Sequence, residues 1–315
     1  MRSLRIVFMG TPEFALASLA RLLQSQHRIV GVITSPDKPA GRGRKMRYSA
    51  VKEFTMANEL PLLQPVKLKD PEFIQELKSL EADLFVVVAF RMLPEIVWAM
   101  PSMGTINLHA SLLPDYRGAA PINWSIINGE LETGVTTFFI NELIDTGAIL
   151  LQERTLIAPE DSAGDLHDKL MILGAHVLKK TVDMVASGEA EAVPQDDAAM
   201  QHKAPKLTPD NCRIDWKSSA KAVYDHIRGL SPYPGAWCEM LNGDVVLHLK
   251  IYQSTYQIDT HSLASGTLIK EGKELKVAVP DGFISLLEIQ LPGKRKLAIE
   301  QLIHGLRLEP KAKLL

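Results

Sequence analysis

Asn107 and His109 stand two residues apart in Thr105-Ile106-Asn107-Leu108-His109. In an extended strand that spacing turns both side chains to one face. An amide N–H and an imidazole N–H aimed at one oxygen suit the oxyanion of a tetrahedral acyl-transfer intermediate. The same pair serves equally well as two satisfied polar groups capping a strand end, and these two residues alone do not choose between the readings. Asp145, in Asp145-Thr146-Gly147, adds a third group. Asp-Thr-Gly is ordinary turn chemistry; folded against His109, its carboxylate would instead hold one tautomer of the ring. Acylation of an amine needs donors for the oxyanion and a base for the incoming amine. It needs no Ser or Cys nucleophile when the acyl group passes directly to the amine.

These residues require a scaffold, and the first half of the chain alternates between two periodicities. Leu4 to Met9 reads as a buried strand. Thr11-Pro12-Glu13 then opens a helix with a cap, a proline at its first position and an acid in its first turn, and Ala15, Leu16, Leu19, Leu22 and Leu23 form its apolar stripe. Further strands are predicted at 28–34, 84–90, 105–109 and 135–140, with helices at 71–80, 121–127 and 164–186. That alternation predicts an α/β, Rossmann-like, mostly parallel sheet with helices on both faces. Asn107 and His109 then fall at a strand's carboxyl end, where such sheets place ligands. Residues 188–208 have a linker composition. Beyond them, short alternating runs separated by Asn242-Gly243, Glu271-Gly272, Asp281-Gly282 and Pro292-Gly293 predict a smaller C-terminal β-barrel of OB-like type. The expected organisation is a catalytic domain at 1–187, a linker at 188–208 and a barrel domain at 209–315.

The 315 residues are 46% hydrophobic and 23% charged, an ordinary globular balance that excludes a disordered or fibrous protein. No apolar run approaches the roughly 18 residues that span a membrane, and Gly10-Thr11-Pro12-Glu13 interrupts the opening run too early for a signal peptide. Two cysteines, with no His or Cys at ligand spacing beside them, predict neither a disulfide framework nor a structural metal. A cytoplasmic protein is expected. Gly10-Thr11-Pro12 lacks the glycine fingerprint of a dinucleotide site and Pro12 removes a backbone donor, which disfavours a nucleotide cofactor and an oxidoreductase.

The formal net charge of −2 hides segregation: Asp37 to Lys52 holds six basic residues and one acid. A basic loop with Gly41 and Gly43 is commonly a solvated surface. Following a strand near the same carboxyl edge, Arg42, Arg44, Lys45 and Arg47 could instead grip phosphates. Lys294-Arg295-Lys296, with Lys206 ahead of the barrel, offers a second basic cluster. Trp216, Trp237 and Cys238 are read as barrel core or strand residues.

With these segments in hand, the chain resembles the methionyl-tRNA formyltransferases, within the folate-dependent formyltransferases, along nearly its whole length. The matching stretches are 8–15, 36–45, 107–118, 145–147, 204–206 and 229–235. The resemblance implies that 10-formyltetrahydrofolate donates a formyl group to the amino group of methionine on initiator tRNA. It implies that Asn107 and His109 polarise the formyl oxygen and that Asp145 orients His109 and assists proton transfers. Ser111, Leu112, Leu113 and Pro114 match the folate-contacting motif, and Phe90 and Leu93 fall where the family lines the pterin pocket. Arg42, Arg44, Lys45, Arg47, Lys206, Lys294 and Arg295 become the candidate tRNA contacts, with no metal and no membrane partner, in a monomer. Two positions depart from the family: Arg91 stands where glycine usually follows the aromatic residue, and Leu143-Ile144 precede Asp145 in place of Gly-Leu. Rival readings are formylation of a small amine, such as an amino sugar or glycinamide ribotide, and a non-catalytic tRNA-binding protein.

Overall fold

A computed structural model describes residues 2–40 and 45–315. The chain divides into two compact units, the first comprising Met1–Gly118, Thr133–Thr155 and His167–Lys203, the second Ala119–Glu132, Leu156–Leu166 and Ala204–Leu315. Two short segments from within residues 1–187 thus belong to the second unit, and most of the linker-like stretch belongs to the first.

The first unit is built on a seven-stranded sheet. In spatial order its strands are Ile149–Leu156, Glu132–Phe139, Thr105–His109, Leu84–Val88, Arg5–Gly10, Arg28–Ile33 and Leu62–Leu63. The pairings from Thr105–His109 through to Leu62–Leu63 are parallel, whereas Thr105–His109 meets Glu132–Phe139 antiparallel. The strand carrying Asn107 and His109 therefore sits where the sheet changes direction. Leu84–Val88 is buried at every position, as a strand covered on both faces requires. It stops at Val88, not at Phe90, because Ala89 takes a positive φ of 47° and turns the chain out of the sheet.

Helix signals hold with one exception. Asp70 caps Pro71–Ser79 through a hydrogen bond from the Glu72 N–H at 3.0 Å. For Glu13–Leu23 the expected Thr11 cap is corrected: Pro12 occupies the cap position without a side-chain bond, and the Thr11 hydroxyl pairs with that of Ser35 at 3.1 Å. A helix at Ala50–Ala57, capped by Ser49, was not anticipated because the basic loop runs straight into it. The long helix spans Ala163–Ser187.

The second unit holds an antiparallel sheet ordered Leu268–Glu271, Glu274–Val279, Gly282–Gln290, Val245–Ile258, Ala236–Asn242 and Lys313–Leu314, with Leu297–Ala298 beside Gly282–Gln290. It curls until Lys313 bridges Thr267 and the Leu314 N–H donates to the Gly266 carbonyl at 2.8 Å. Gly266 permits this seam: its φ is +83°, and a Cβ there would lie 2.2 Å from the Leu314 carbonyl oxygen. Ala220, Val223 and Ile227 of the helix Ala220–Gly229 share the enclosed core with Trp216, Cys238 and Ile251. That core placement agrees with the reading of Trp216 and Cys238, while Trp237 on the strand Ala236–Asn242 is only half-buried.

Candidate active site

His109 is the last residue of its strand and is buried. Its Nε2 lies 2.9 Å from the Tyr116 carbonyl oxygen. A carbonyl only accepts, so this ring nitrogen carries a hydrogen and donates. The other nitrogen, Nδ1, faces Asp145 Oδ2 at 3.7 Å, within ion-pair range but too long for a hydrogen bond. The Asp145 carboxylate accepts a shorter bond, 3.0 Å, from the Gly118 N–H. One tripeptide, Tyr116-Arg117-Gly118, thus holds the imidazole with its first residue and the carboxylate with its last.

Asn107 precedes His109 by one pleat and is half-buried. Among the described residues its side-chain amide has no hydrogen-bond partner, so both its donors are available to a ligand. The structure therefore brings Asn107, His109 and Asp145 into one corner, with one amide unengaged and one ring nitrogen turned toward the acid.

The turn bearing Asp145 is built locally. Asn141 Oδ1 accepts from the Leu143 N–H at 3.1 Å and the Thr146 hydroxyl at 3.0 Å. Gly147 lies so close to the neighbouring strand that a Cβ would sit 1.6 Å from the Phe139 carbonyl oxygen. The Leu143 and Ile144 side chains, the departure noted in the sequence, are exposed at the tip.

Residues 111–114 are held tightly. Ser111 is fully buried and its hydroxyl donates to the Asp115 carbonyl at 2.6 Å, so that hydroxyl is spent within the protein. The Leu113 N–H donates to Thr136 Oγ1 at 3.1 Å and its carbonyl accepts from Gln152 at 2.9 Å. Leu112 and Pro114 retain partial exposure. Phe90 and Leu93 both pack on the apolar cluster containing Val87 and Val97. Arg91 between them donates to the Pro65 and Val66 carbonyls and lies 5.5 Å from the Phe90 ring. Burial pulls its pKa below the ordinary value. The residue that replaces the usual glycine is therefore a tie from the strand end to the 65–66 segment.

Of the basic candidates, Arg42 and Arg44 lie outside the described residues. Lys45 and Arg47 stand on a short strand, Lys45–Arg47, paired antiparallel with Lys38–Ala40. Lys206, Lys294 and Arg295 are exposed in the second unit. Lys296, their neighbour, places its Nζ 3.4 Å over the Tyr252 ring. Among the described residues no group of three His, Cys, Asp or Glu is placed to hold a metal ion. Within the same residues no helix is long and apolar enough to cross a membrane.

Residues 4–182 match the family model described as formyl transferase, and residues 206–307 match the one described as formyl transferase, C-terminal domain. The chain belongs to the formyl transferase family. Among its relatives in that family is a protein of Bacteroides fragilis named methionyl-tRNA formyltransferase, 53% identical over 311 residues, covering 97% of this chain and 96% of the relative. A Flavobacterium psychrophilum protein of the same name is 54% identical over 307 residues, covering 97% of each. A more distant formyl transferase fold is that of an N-formyltransferase from Helicobacter canadensis, solved with folinic acid and dTDP-3-aminofucose. It is 20% identical, with a TM-score of 0.66, covering 90% of this chain and 98% of that one.

The sequence did not reveal Gln195. Its Nε2 donates to the Asp145 carbonyl at 2.9 Å and the Gly147 carbonyl at 2.8 Å, across 50 and 48 positions. Its linker-like surroundings concealed it.

Proposed function

We propose that this chain transfers the formyl group of 10-formyltetrahydrofolate to the amino group of methionine carried on initiator tRNA. The observation that carries the reading is the unengaged Asn107 amide beside the His109–Asp145 pair, in a chain whose relatives at about half identity bear that enzyme's name. In this reading the neutral amine attacks the formyl carbon. The Asn107 amide donates to the developing oxyanion. With the Nε2 hydrogen committed to the Tyr116 carbonyl, Nδ1 is the nitrogen left for the formyl oxygen, and it donates there as the second N–H of a doubly protonated ring whose positive charge faces the Asp145 carboxylate. Asp145 orients the ring and accepts the proton that the amine loses. A proton must then reach N10 of the folate before it can leave.

We assign the folate to the neighbourhood of Leu112, Pro114, Phe90 and Leu93, with Ser111 and Leu113 shaping that segment from within. The tRNA is assigned to Arg42, Arg44, Lys45 and Arg47 of the basic loop and to Lys206, Lys294 and Arg295. In domain terms, chemistry belongs to residues 1–187, which also carry the basic loop, and the rest of acceptor binding belongs to Lys206 and to residues 209–315. All proposed catalytic groups come from one chain, so a monomer suffices, acting in the cytoplasm where charged tRNA is consumed.

The test is transfer of radiolabelled formyl from 10-formyltetrahydrofolate, offering methionine-charged initiator tRNA, charged elongator tRNA and free methionine side by side. Label on the initiator species alone is the expected result. Label on a small amine and on no tRNA would retain the chemistry and overturn the acceptor.

A further inference from the structure

We infer that Gln195 is a positioning residue for Asp145, setting from a distant stretch of chain how the carboxylate faces His109. The inference rests on the formyl-transfer reading above. Asp145 has a φ of +56°, a left-handed conformation that a residue with a side chain keeps only when its surroundings over-determine it. The local turn does not supply all of that determination. The carbonyls of Asp145 and Gly147 both point at the Gln195 amide nitrogen, which gives each of them one hydrogen.

The other end of the same side chain is equally engaged. Gln195 Oε1 accepts from Arg117 Nε at 3.0 Å and from Arg117 Nη2 at 2.6 Å, and Nη2 also meets Asp197 Oδ1 at 2.7 Å. Turning the amide over would set its oxygen against two carbonyls and its NH2 against a guanidinium, so only one orientation is tolerated. Arg117 itself sits between Tyr116, which holds His109, and Gly118, which holds Asp145. Gln195 therefore joins the backbone of the Asp145 turn to the segment that fixes both catalytic candidates. The 3.7 Å gap between His109 and Asp145 is a distance this strut maintains.

The decisive experiment is a double-variant cycle between Gln195→Glu and Asp145→Asn, measuring kcat and KM with whichever acceptor the wild-type chain labels. Glutamate keeps an acceptor for Arg117 but removes both donors to the turn. Gln195→Glu is expected to lower kcat about 10- to 100-fold, as a misplacement near 1 Å does, with KM for folate and acceptor changed less than about threefold. On the Asp145→Asn background the same change should cost less than about threefold, because groups acting through one another are not additive. Wild-type kcat in Gln195→Glu, or full losses that multiply in the double variant, would overturn the inference. If circular dichroism shows Gln195→Glu unfolded, Arg117→Met carries the same cycle from the other end of the strut. Its smaller loss must likewise vanish on Asp145→Asn, and persistence of that loss would overturn the inference. A wild-type chain that labels a small amine instead of tRNA removes the acceptor assignment and leaves this cycle to be read on that amine.

Discussion

Around Asp145 the polar groups answer one another: Gly118 and Gln195 bond to the turn, Arg117 bonds to Gln195, and Tyr116 bonds to His109. In the second unit Lys206, Lys294 and Arg295 are exposed and make no ion pair among the described residues. The contrast is what the two proposed tasks require. A reacting centre must be correct to a fraction of an ångström, so its groups are braced against each other. A phosphate backbone is gripped by mobile charges whose sum matters more than their placement, because the gain comes from counterion release. Substitutions should therefore act as steps in kcat in the first region and as graded, salt-sensitive changes in the second.

The largest break in that comparison should come from His109→Ala, expected to lower kcat about 10²- to 10⁴-fold, with tRNA binding measured by filter retention little altered. Equal loss of turnover and binding would remove its catalytic assignment. Asn107→Ala should follow at about 10²- to 10³-fold, the range for deleting one oxyanion donor. Gly147→Ala is next. Its methyl group must displace the Asp145 turn from the Phe139 carbonyl, lowering kcat about 10²-fold and thermal stability by about 1–3 kcal/mol. A variant with wild-type kcat would show that the turn's position is not critical.

For the basic residues, Lys294→Ala and Arg295→Ala should each raise KM for tRNA, leave kcat intact and flatten the logarithmic salt dependence by about one unit per lost phosphate contact. Arg42→Ala in the basic loop should behave likewise, with folate affinity unchanged. An undiminished salt slope would release those residues from phosphate contact. The smallest effect concerns the barrel core. Burial pushes the Cys238 thiol up to about 12 and raises that of Cys212. Neither is a thiolate at pH 8, so iodoacetamide should leave both unmodified and the activity unchanged until the protein is unfolded. Rapid labelling of the native protein would show that the barrel opens.

Much of this was legible where a local rule acts. Period-two spacing put Asn107 and His109 on one face, Asp70 before Pro71 announced a helix, and turn glycines separated the barrel strands. The helix Ala220–Gly229 also carried its signals, a Ser219 cap and apolar residues at 220, 223 and 227, but the alternating strands around it masked them. What could not be read was anything whose partner is remote. Ser111 matched a ligand-contacting motif, yet its hydroxyl is used by Asp115. Thr11 looked like a cap, yet it bonds across to Ser35. Gln195 reaches a turn 50 residues earlier through a side-chain amide, and no periodicity records such a reach.

The Gln195 strut bears on how such a chain could be cut and rejoined. Beyond it, Asp115 accepts from the Gln201 and His202 N–H groups, and the Tyr116 N–H donates to the His202 carbonyl. By composition the stretch from 188 invites a junction anywhere along it. A chimaera joined at 187 to a different acceptor-binding module would inherit the seven-stranded sheet but discard the braces on both His109 and Asp145. One joined after Lys203 would carry them along. On the proposed division of labour, the portable unit of chemistry is therefore longer than the sheet that displays it, and a junction that keeps the braces lies downstream of the last of them.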